Sequence, residues 1–333
     1  MKKLVVIVPA YNEEKTISDT LVGLFSIKPG LNKSGYELII HIINDGSTDT
    51  TEKLANQHGE VLVINHKKNE GLGAAVRTGL LSAHNVKADI VVKYDADLQH
   101  IPLDILSLIK PIDHDEADIV YGNRFEKMNY KMPFVRKMGN KIFTNLMKWL
   151  TGWPLMDSQP GIFAVNSIFL KNFYLPGDYN YTQQILLDAY HRHLRFSHVL
   201  VTFNKRDKGK SFISLKYPFK VIPQMIQVII GIKPLKVFGP IGWFFLSLGV
   251  FISMFQITSY LLGYTQKPVE NVNLVLGSFL FGLQILCFGF LTDLVVKLNC
   301  NVIKIIDKKI VMIECFIIRL IFLRQIIKFI YVK

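Results

Sequence analysis

Four short apolar runs, at residues 4–8, 38–43, 61–64 and 90–94, each break off into a polar loop that leads into a helical pattern. Short and rich in Val and Ile, they read as strands buried on both faces of a parallel sheet. A shorter run at 118–121 repeats the order. This alternation predicts a doubly wound α/β domain. Parallel strands point one way, so the loops that follow them gather along one sheet edge, where such folds bind ligands. Lys2 and Lys3 before the first run imitate a signal peptide. That run is too short, however, and enters Asn12, Glu13 and Glu14 without a small-residue cleavage site.

The loops carry the chemistry. The first strand closes with Pro9-Ala10-Tyr11-Asn12-Glu13-Glu14. The second closes with Asn44-Asp45-Gly46-Ser47-Thr48-Asp49, whose Ser, Thr and Asp residues are good helix caps. The third leads into a glycine-rich stretch at 69–79, and the fourth ends in Asp95-Ala96-Asp97. Two carboxylates one residue apart at an exposed strand end are hard oxygen ligands, suited to Mg²⁺ or Mn²⁺ carrying a diphosphate. A lone Asp pair is more often a solvated turn. Four loops in register favour the ligand. Gly71, Gly73 and Gly79 do not form a dinucleotide fingerprint, because Val76 takes the third glycine position and the motif follows the third strand. A nicotinamide-dependent oxidoreductase is excluded on that ground.

The C-terminal third has a different character. Residues 237–264 and 272–292 contain no charged side chain, and each run exceeds the roughly 20 residues that cross a ~30 Å hydrocarbon core. The short linker between them predicts a transmembrane helix hairpin over 237–297. Ahead of it, residues 213–236 mix Ile, Val, Phe and Met with Lys216, Lys220, Lys233 and Lys236, as amphipathic helices in the headgroup region do. Residues 298–333 form a basic, apolar tail. Glu314, Arg319, Arg324 and Lys328 make an interfacial helix the better reading there than a third span. A net charge of +13 suits an anionic membrane and phosphate substrates; no nucleic-acid-binding motif is present. Cys287, Cys300 and Cys315 all lie in or after the second run, so residues 1–212 form a disulfide-free domain fit for a reducing cytosol. Lysine and arginine flank both outer ends of the hairpin and place that domain inside.

Val8-Pro9-Ala10-Tyr11-Asn12-Glu13-Glu14, Asn44 to Asp49, Asn69 to Gly79, Asp95-Ala96-Asp97-Leu98-Gln99-His100 and Gly122-Asn123-Arg124-Phe125 occur in one order and spacing. Together they resemble the polyprenyl-phosphate branch, dolichyl-phosphate mannosyltransferase-like, of the inverting A-type-fold family 2 glycosyltransferases. The resemblance covers roughly residues 4–240. It implies transfer of one sugar from a nucleotide sugar (GDP-mannose, UDP-glucose or UDP-N-acetylglucosamine) to a polyprenyl or dolichyl phosphate, on a metal-dependent cytoplasmic domain at the cell membrane. It further implies that Pro9, Tyr11, Glu13, Asp45 and Ala96 hold the nucleotide sugar with Asp95 and Asp97, and that Asp97 and Gln99 hold Mg²⁺ or Mn²⁺. Arg124 and Arg136 would receive the acceptor phosphate. Asp157 joins them as a catalytic candidate, while Arg206, Lys210 and Ser211 would close over the donor phosphates. His100 is read as structural, and a homo-oligomer is left open. Asn44 stands where the pattern usually has Asp, Phe163 where it often has Arg, and Gln184 where Glu is frequent. These departures keep a catalytically silent membrane scaffold as an alternative. A processive polysaccharide synthase lacks support, since the Gln-x-x-Arg-Trp motif is absent.

Overall fold

β1 (Lys2–Ala10) is buried from Leu4 to Ala10 because both of its faces are covered. In the computed structural model, Leu4, Val6 and Val8 pack with Ile17, Leu21 and Leu24 of α1 (Ile17–Ser26) and with Ile105 and Leu108 of α5 (Asp104–Asp113). Ile7 points the other way, under Gly79 of α4 (Leu72–Asn85), where a Cβ would sit 3.0 Å from the isoleucine. Each such Leu, Ile or Val stabilises the sheet by about 1.5–3 kcal/mol. The structure describes residues 1–126, 134–175, 181–205, 226, 229–231 and 233–298, with only the backbone for 134–136. The chain divides into two compact units, Met1–Ile222 and Pro223–Lys333.

The first unit holds a seven-stranded sheet of order β3-β2-β1-β4-β6-β5-β7. β1 pairs in parallel with β2 (Tyr36–Asn44) and β4 (Ile90–Lys93), and β2 with β3 (Val61–Asn65). α3 (Thr51–Asn56) links β2 to β3, and the short α2 (Lys28–Lys33) precedes β2. Two strands exceed the sequence reading. β6 (Phe163–Asn166) runs antiparallel between β4 and β5 (Ile119–Asn123), and β7 (Phe196–Leu200) lies parallel to β5. The antiparallel strand follows from the connection. After β5 the chain forms α6 (Phe134–Thr151) and re-enters the sheet at the edge it left, so β6 must run back down. That return brings residues 157–161 beside the end of β4, with Phe163 opposite Lys93. α7 (Ser167–Lys171) and α8 (Tyr181–His191) complete the covering of the sheet.

In the second unit, helices Leu235–Leu261 and Val272–Leu298 have mean hydropathies of 1.8 and 2.2. At 1.5 Å per residue each spans about 40 Å, longer than the hydrocarbon core. Trp243, Phe251, Phe255, Leu280 and Phe290 are exposed along them, as side chains facing lipid are. The helices touch where side chains are smallest. A Cβ on Gly242 would lie 2.6 Å from Leu286 Cγ, and one on Gly282 would lie 2.9 Å from the Gly242 carbonyl. Backbone contact of this kind replaces the hydrophobic drive that lipid cannot supply.

Candidate active site

The loops after β1 and β2 are stitched to each other. Asn12, held at φ +54°, accepts from the Thr48 N–H at 2.8 Å, and the Glu13 N–H donates to Thr51 Oγ1 at 2.8 Å. Glu14 accepts from Thr50 Oγ1 at 2.9 Å, while its own N–H donates to Asp49 at 3.2 Å. The Glu13 carboxylate accepts from Thr16 Oγ1 at 3.0 Å beside the start of α1. Asp45 is buried and reaches the third loop. It accepts from the Glu70 and Gly71 N–H groups at 3.0 and 2.9 Å, with His66 Nδ1 at 2.7 Å. His66 Nε2 in turn meets Thr78 Oγ1 of α4 at 2.9 Å. Pro9 is buried near the end of β1 opposite Ile43, and Tyr11 follows in the loop, half-buried. Asp45 thus ties the end of β2 to the third loop.

The Asp95–Asp97 turn is pinned from three sides. Leu98 takes φ +60°, which lets Asp97 Oδ1 accept from the Gln99 N–H at 3.2 Å. Gln99 exchanges bonds with Asn204, giving its amide Nε2 to the Asn204 carbonyl at 3.0 Å and accepting the Asn204 N–H at 2.8 Å. Thr20 of α1 donates to the Ala96 carbonyl at 3.1 Å, and Tyr94 Oη to the His100 carbonyl at 2.5 Å. Beneath the turn lies Lys93, fully buried, its ammonium bonded to Asp95 and to the Gly161 carbonyl at 2.7 Å. Burial alone would lower its pKa. Asp95 and Tyr181 together outweigh burial and hold the ammonium above the ordinary lysine value. Nothing in the sequence reading singled out Lys93; a lysine inside an otherwise apolar parallel strand was the available signal.

Gly161 is there for want of room. A Cβ at this position would stand 2.4 Å from His100 Nε2 and 2.7 Å from Asp95 Oδ2. His100 is buried and its imidazole is pushed down to about 4 by desolvation, so it is neutral at physiological pH. Gly161→Ala should therefore push Asp95 out of place and lower kcat/KM by about tenfold or more, since a small misplacement at the reacting centre is expensive. Wild-type kinetics for this variant would refute the close packing.

Arg124 follows β5 and is buried, not presented on the surface. Its Nε lies 2.8 Å from Asp157 Oδ2 and its Nη2 donates to the Gln159 carbonyl at 2.6 Å. The guanidinium also stands 5.2 Å over the Phe203 ring. Asp157 Oδ1 accepts from Asn140 Nδ2 of α6 and from the Gln159 N–H, both at 2.9 Å. Asp157 thus ties α6, its own turn and Arg124 together. Nε and Nη2 of Arg124 are engaged by the 157–161 loop, two of the five N–H donors a guanidinium carries. Arg136 falls in the first turn of α6, and its side chain lies outside the described residues. Arg206, Lys210 and Ser211 also lie outside them. Among the departures, Asn44 donates to Asn65 at 2.9 Å and accepts from the Ser47 N–H at 3.1 Å. Phe163 and Gln184 are buried.

Among the described residues no group of three His, Cys, Asp or Glu side chains could hold a metal alone. The donor set still fits Mg²⁺ or Mn²⁺, which take one or two carboxylates and complete their shell with water and substrate phosphates. A cation at this edge belongs with a diphosphate.

A model described as glycosyl transferase family 2 matches residues 5–170. The UDP-N-acetylglucosamine–dolichyl-phosphate N-acetylglucosaminyltransferase of Methanococcus voltae is 36% identical over 188 residues, covering 51% of this chain and 72% of that one. An uncharacterized protein of Methanocaldococcus jannaschii is 32% identical, covering 67% and 93%. The dolichol-phosphate mannosyltransferase of Pyrococcus furiosus is 27% identical, covering 74% of each. In fold, the chain resembles glucosyl-3-phosphoglycerate synthase from Mycobacterium tuberculosis, solved with Mn²⁺, UDP and phosphoglyceric acid. The TM-score is 0.54 at 20% identity, over 69% of this chain and 78% of that one.

Proposed function

The chain belongs to glycosyl transferase family 2 and is a glycosyltransferase, and we propose that it moves one sugar from a nucleotide sugar to a polyprenyl or dolichyl phosphate with inversion. The carrying observation is the joining, in one chain, of an Asp95–Asp97 edge built for a cation and diphosphate with two helices of membrane-spanning length. The lipid-phosphate relatives from Methanococcus voltae and Pyrococcus furiosus support the same acceptor class. GDP-mannose, UDP-glucose and UDP-N-acetylglucosamine are the candidate donors.

The acceptor explains why no protein base is required. A phosphate monoester has a second pKa near 6 and is already anionic at neutral pH. Its oxygen attacks the anomeric carbon, the bond to the diphosphate breaks on the opposite side, and the nucleoside diphosphate departs. This single displacement inverts the configuration. The protein aligns the two and neutralises the leaving group. Tyr11, Glu13, Asp45 and Ala96, with Pro9, hold the nucleoside side, and Asp95 accepts from ribose or sugar hydroxyls. Asp97 and Gln99 would hold the cation, which would supply positive charge beside the leaving diphosphate. Arg206 and Lys210 add to that charge, and Ser211 offers its hydroxyl to the same phosphates. Arg136 and Arg124 receive the acceptor phosphate, and Arg124 also fixes the Asp157 loop.

Residues 1–212 form the cytoplasmic catalytic domain and residues 237–297 the membrane hairpin; most of 213–232 and all of 299–333, read above as interfacial, lie outside the described residues. Lys233 and Lys236 sit before the first span, the side that stays inside. A cysteine placed at Thr265 should react with an impermeant thiol reagent on intact cells, and one at Ser34 should not. The reverse pattern inverts the orientation. For the reaction itself, membranes containing the protein should be incubated with the three donors and dolichyl phosphate and the lipid product weighed. One hexose or N-acetylhexosamine on the lipid phosphate is expected. Transfer only to soluble acceptors would end the proposal.

A further inference from the structure

The two carboxylates of the Asp95–Asp97 pair have unequal surroundings, and the difference lies in Lys93. Residues two apart on a strand leave the same face, so Lys93 and Asp95 are set to meet. An ammonium has three protons to place and no acceptor of its own. One goes to Asp95 and one to the Gly161 carbonyl at 2.7 Å. The third has the Tyr181 hydroxyl of α8 within hydrogen-bonding reach, its ring 5.6 Å from Nζ. The Lys93 side chain is 0% exposed and that of Asp95 25%, so the ion pair is shielded on the protein side and open on the ligand side. Gly161 closes the flank, since a Cβ there would lie 2.7 Å from Asp95 Oδ2. Phe163, directly opposite Lys93 in the sheet register, presents an aromatic ring at the neighbouring position.

A divalent ion seated on Asp95 would lie next to a fixed ammonium that has nowhere to withdraw. Mutual repulsion at that range is stronger than in bulk water, because the ammonium is fully buried. A neutral hydroxyl meets no such penalty, and a carboxylate locked in one rotamer is a good acceptor for it. We propose that Lys93 is the positioning residue that sets the two carboxylates apart: it cancels the charge of Asp95 and locks its carboxylate in one orientation, so that the carboxylate serves a donor hydroxyl and turns the cation away. This rests on the transfer reaction proposed above and assigns the two carboxylates within it.

The test is a Mn²⁺ titration of the full chain in detergent, alone and with uridine diphosphate, free ion being counted by electron paramagnetic resonance. Asp97→Asn should weaken Mn²⁺ binding by about tenfold or more, while Asp95→Asn should leave it within about twofold and raise the donor KM by about tenfold or more. Lys93→Met exposes Asp95 to the ion, so Mn²⁺ should bind several-fold more tightly, and Lys93→Met with Asp95→Asn should return it to the wild-type value. Thermal melting checks each fold, and the two aspartate variants decide the matter if Lys93→Met does not fold. Equal loss of Mn²⁺ in Asp95→Asn and Asp97→Asn overturns the role of Lys93 and leaves the metal reading intact. An unchanged donor KM in Asp95→Asn overturns the hydroxyl role. If neither aspartate variant affects Mn²⁺, the metal reading fails and this proposal falls with it.

Discussion

Asp97→Ala should lower kcat/KM for sugar transfer by roughly three orders of magnitude while the melting temperature stays within a few degrees of wild type. The rate estimate follows from what the residue is assigned. Groups that stabilise the charge developing on a leaving group each contribute about 10²–10³ in rate, and losing the cation removes its charge as well. The stability estimate follows from geometry. Asp97 lies beyond the end of β4, and its Oδ1 accepts a local bond from the Gln99 N–H. The turn keeps its other ties, from Thr20 to the Ala96 carbonyl and from Gln99 to Asn204. Chelation with EDTA should reproduce the loss in the wild type, and added Mn²⁺ or Mg²⁺ should restore it. Full transfer in EDTA would remove the cation from the reaction. A variant that unfolds instead would mean that Asp97 holds the turn.

The part of the site legible in the sequence is the part built from single loops. The ends of β1, β2 and β4 announce themselves because a strand buried on both faces is apolar and the loop that follows is not. Residues 4–8 and 90–94 therefore mark both the core and its edge. What escaped depends on partners far along the chain. β6 is four residues long, and only its pairing with β4 and β5 makes it a strand. Lys93 reads as a blemish in an apolar run until Gly161 and Tyr181, 68 and 88 residues later, are brought against it. Arg124 reads as an edge residue until Asp157 is brought under it. Asp45 was legible as a loop residue but not as the tie between β2 and the Glu70–Gly71 backbone, since that bond needs both strands in place. Helices Leu235–Leu261 and Val272–Leu298 were legible from the uncharged runs at 237–264 and 272–292, because a length sufficient to cross a bilayer is a demand on composition.

Arg124→Met should be the most destabilising of the substitutions considered, and the reason is the partner it abandons. The ion pair with Asp157 is buried on both sides, with side chains 7% and 1% exposed. Removing one member of such a pair typically costs about 3–5 kcal/mol, because the other charge is left in a site that water cannot reach. For a unit of this size that corresponds to a fall in melting temperature of roughly 6–20 °C. Asp157 would keep the Asn140 and Gln159 donors at 2.9 Å, which moderates the loss without cancelling it. Arg124→Met combined with Asp157→Asn removes both charges and retains an oxygen for those donors, so it should regain most of the lost stability. Activity should not return with it. The pair holds residues 157–161 against Asp95, with Gly161 supplying the carbonyl that anchors Lys93, and a neutral pair lacks the guanidinium that grips the Gln159 carbonyl. Thermal melts and steady-state rates on the single and double variants separate the two roles. A single variant that melts with the wild type would show that the pair contributes little, and a double variant with full activity would make it a structural strut alone.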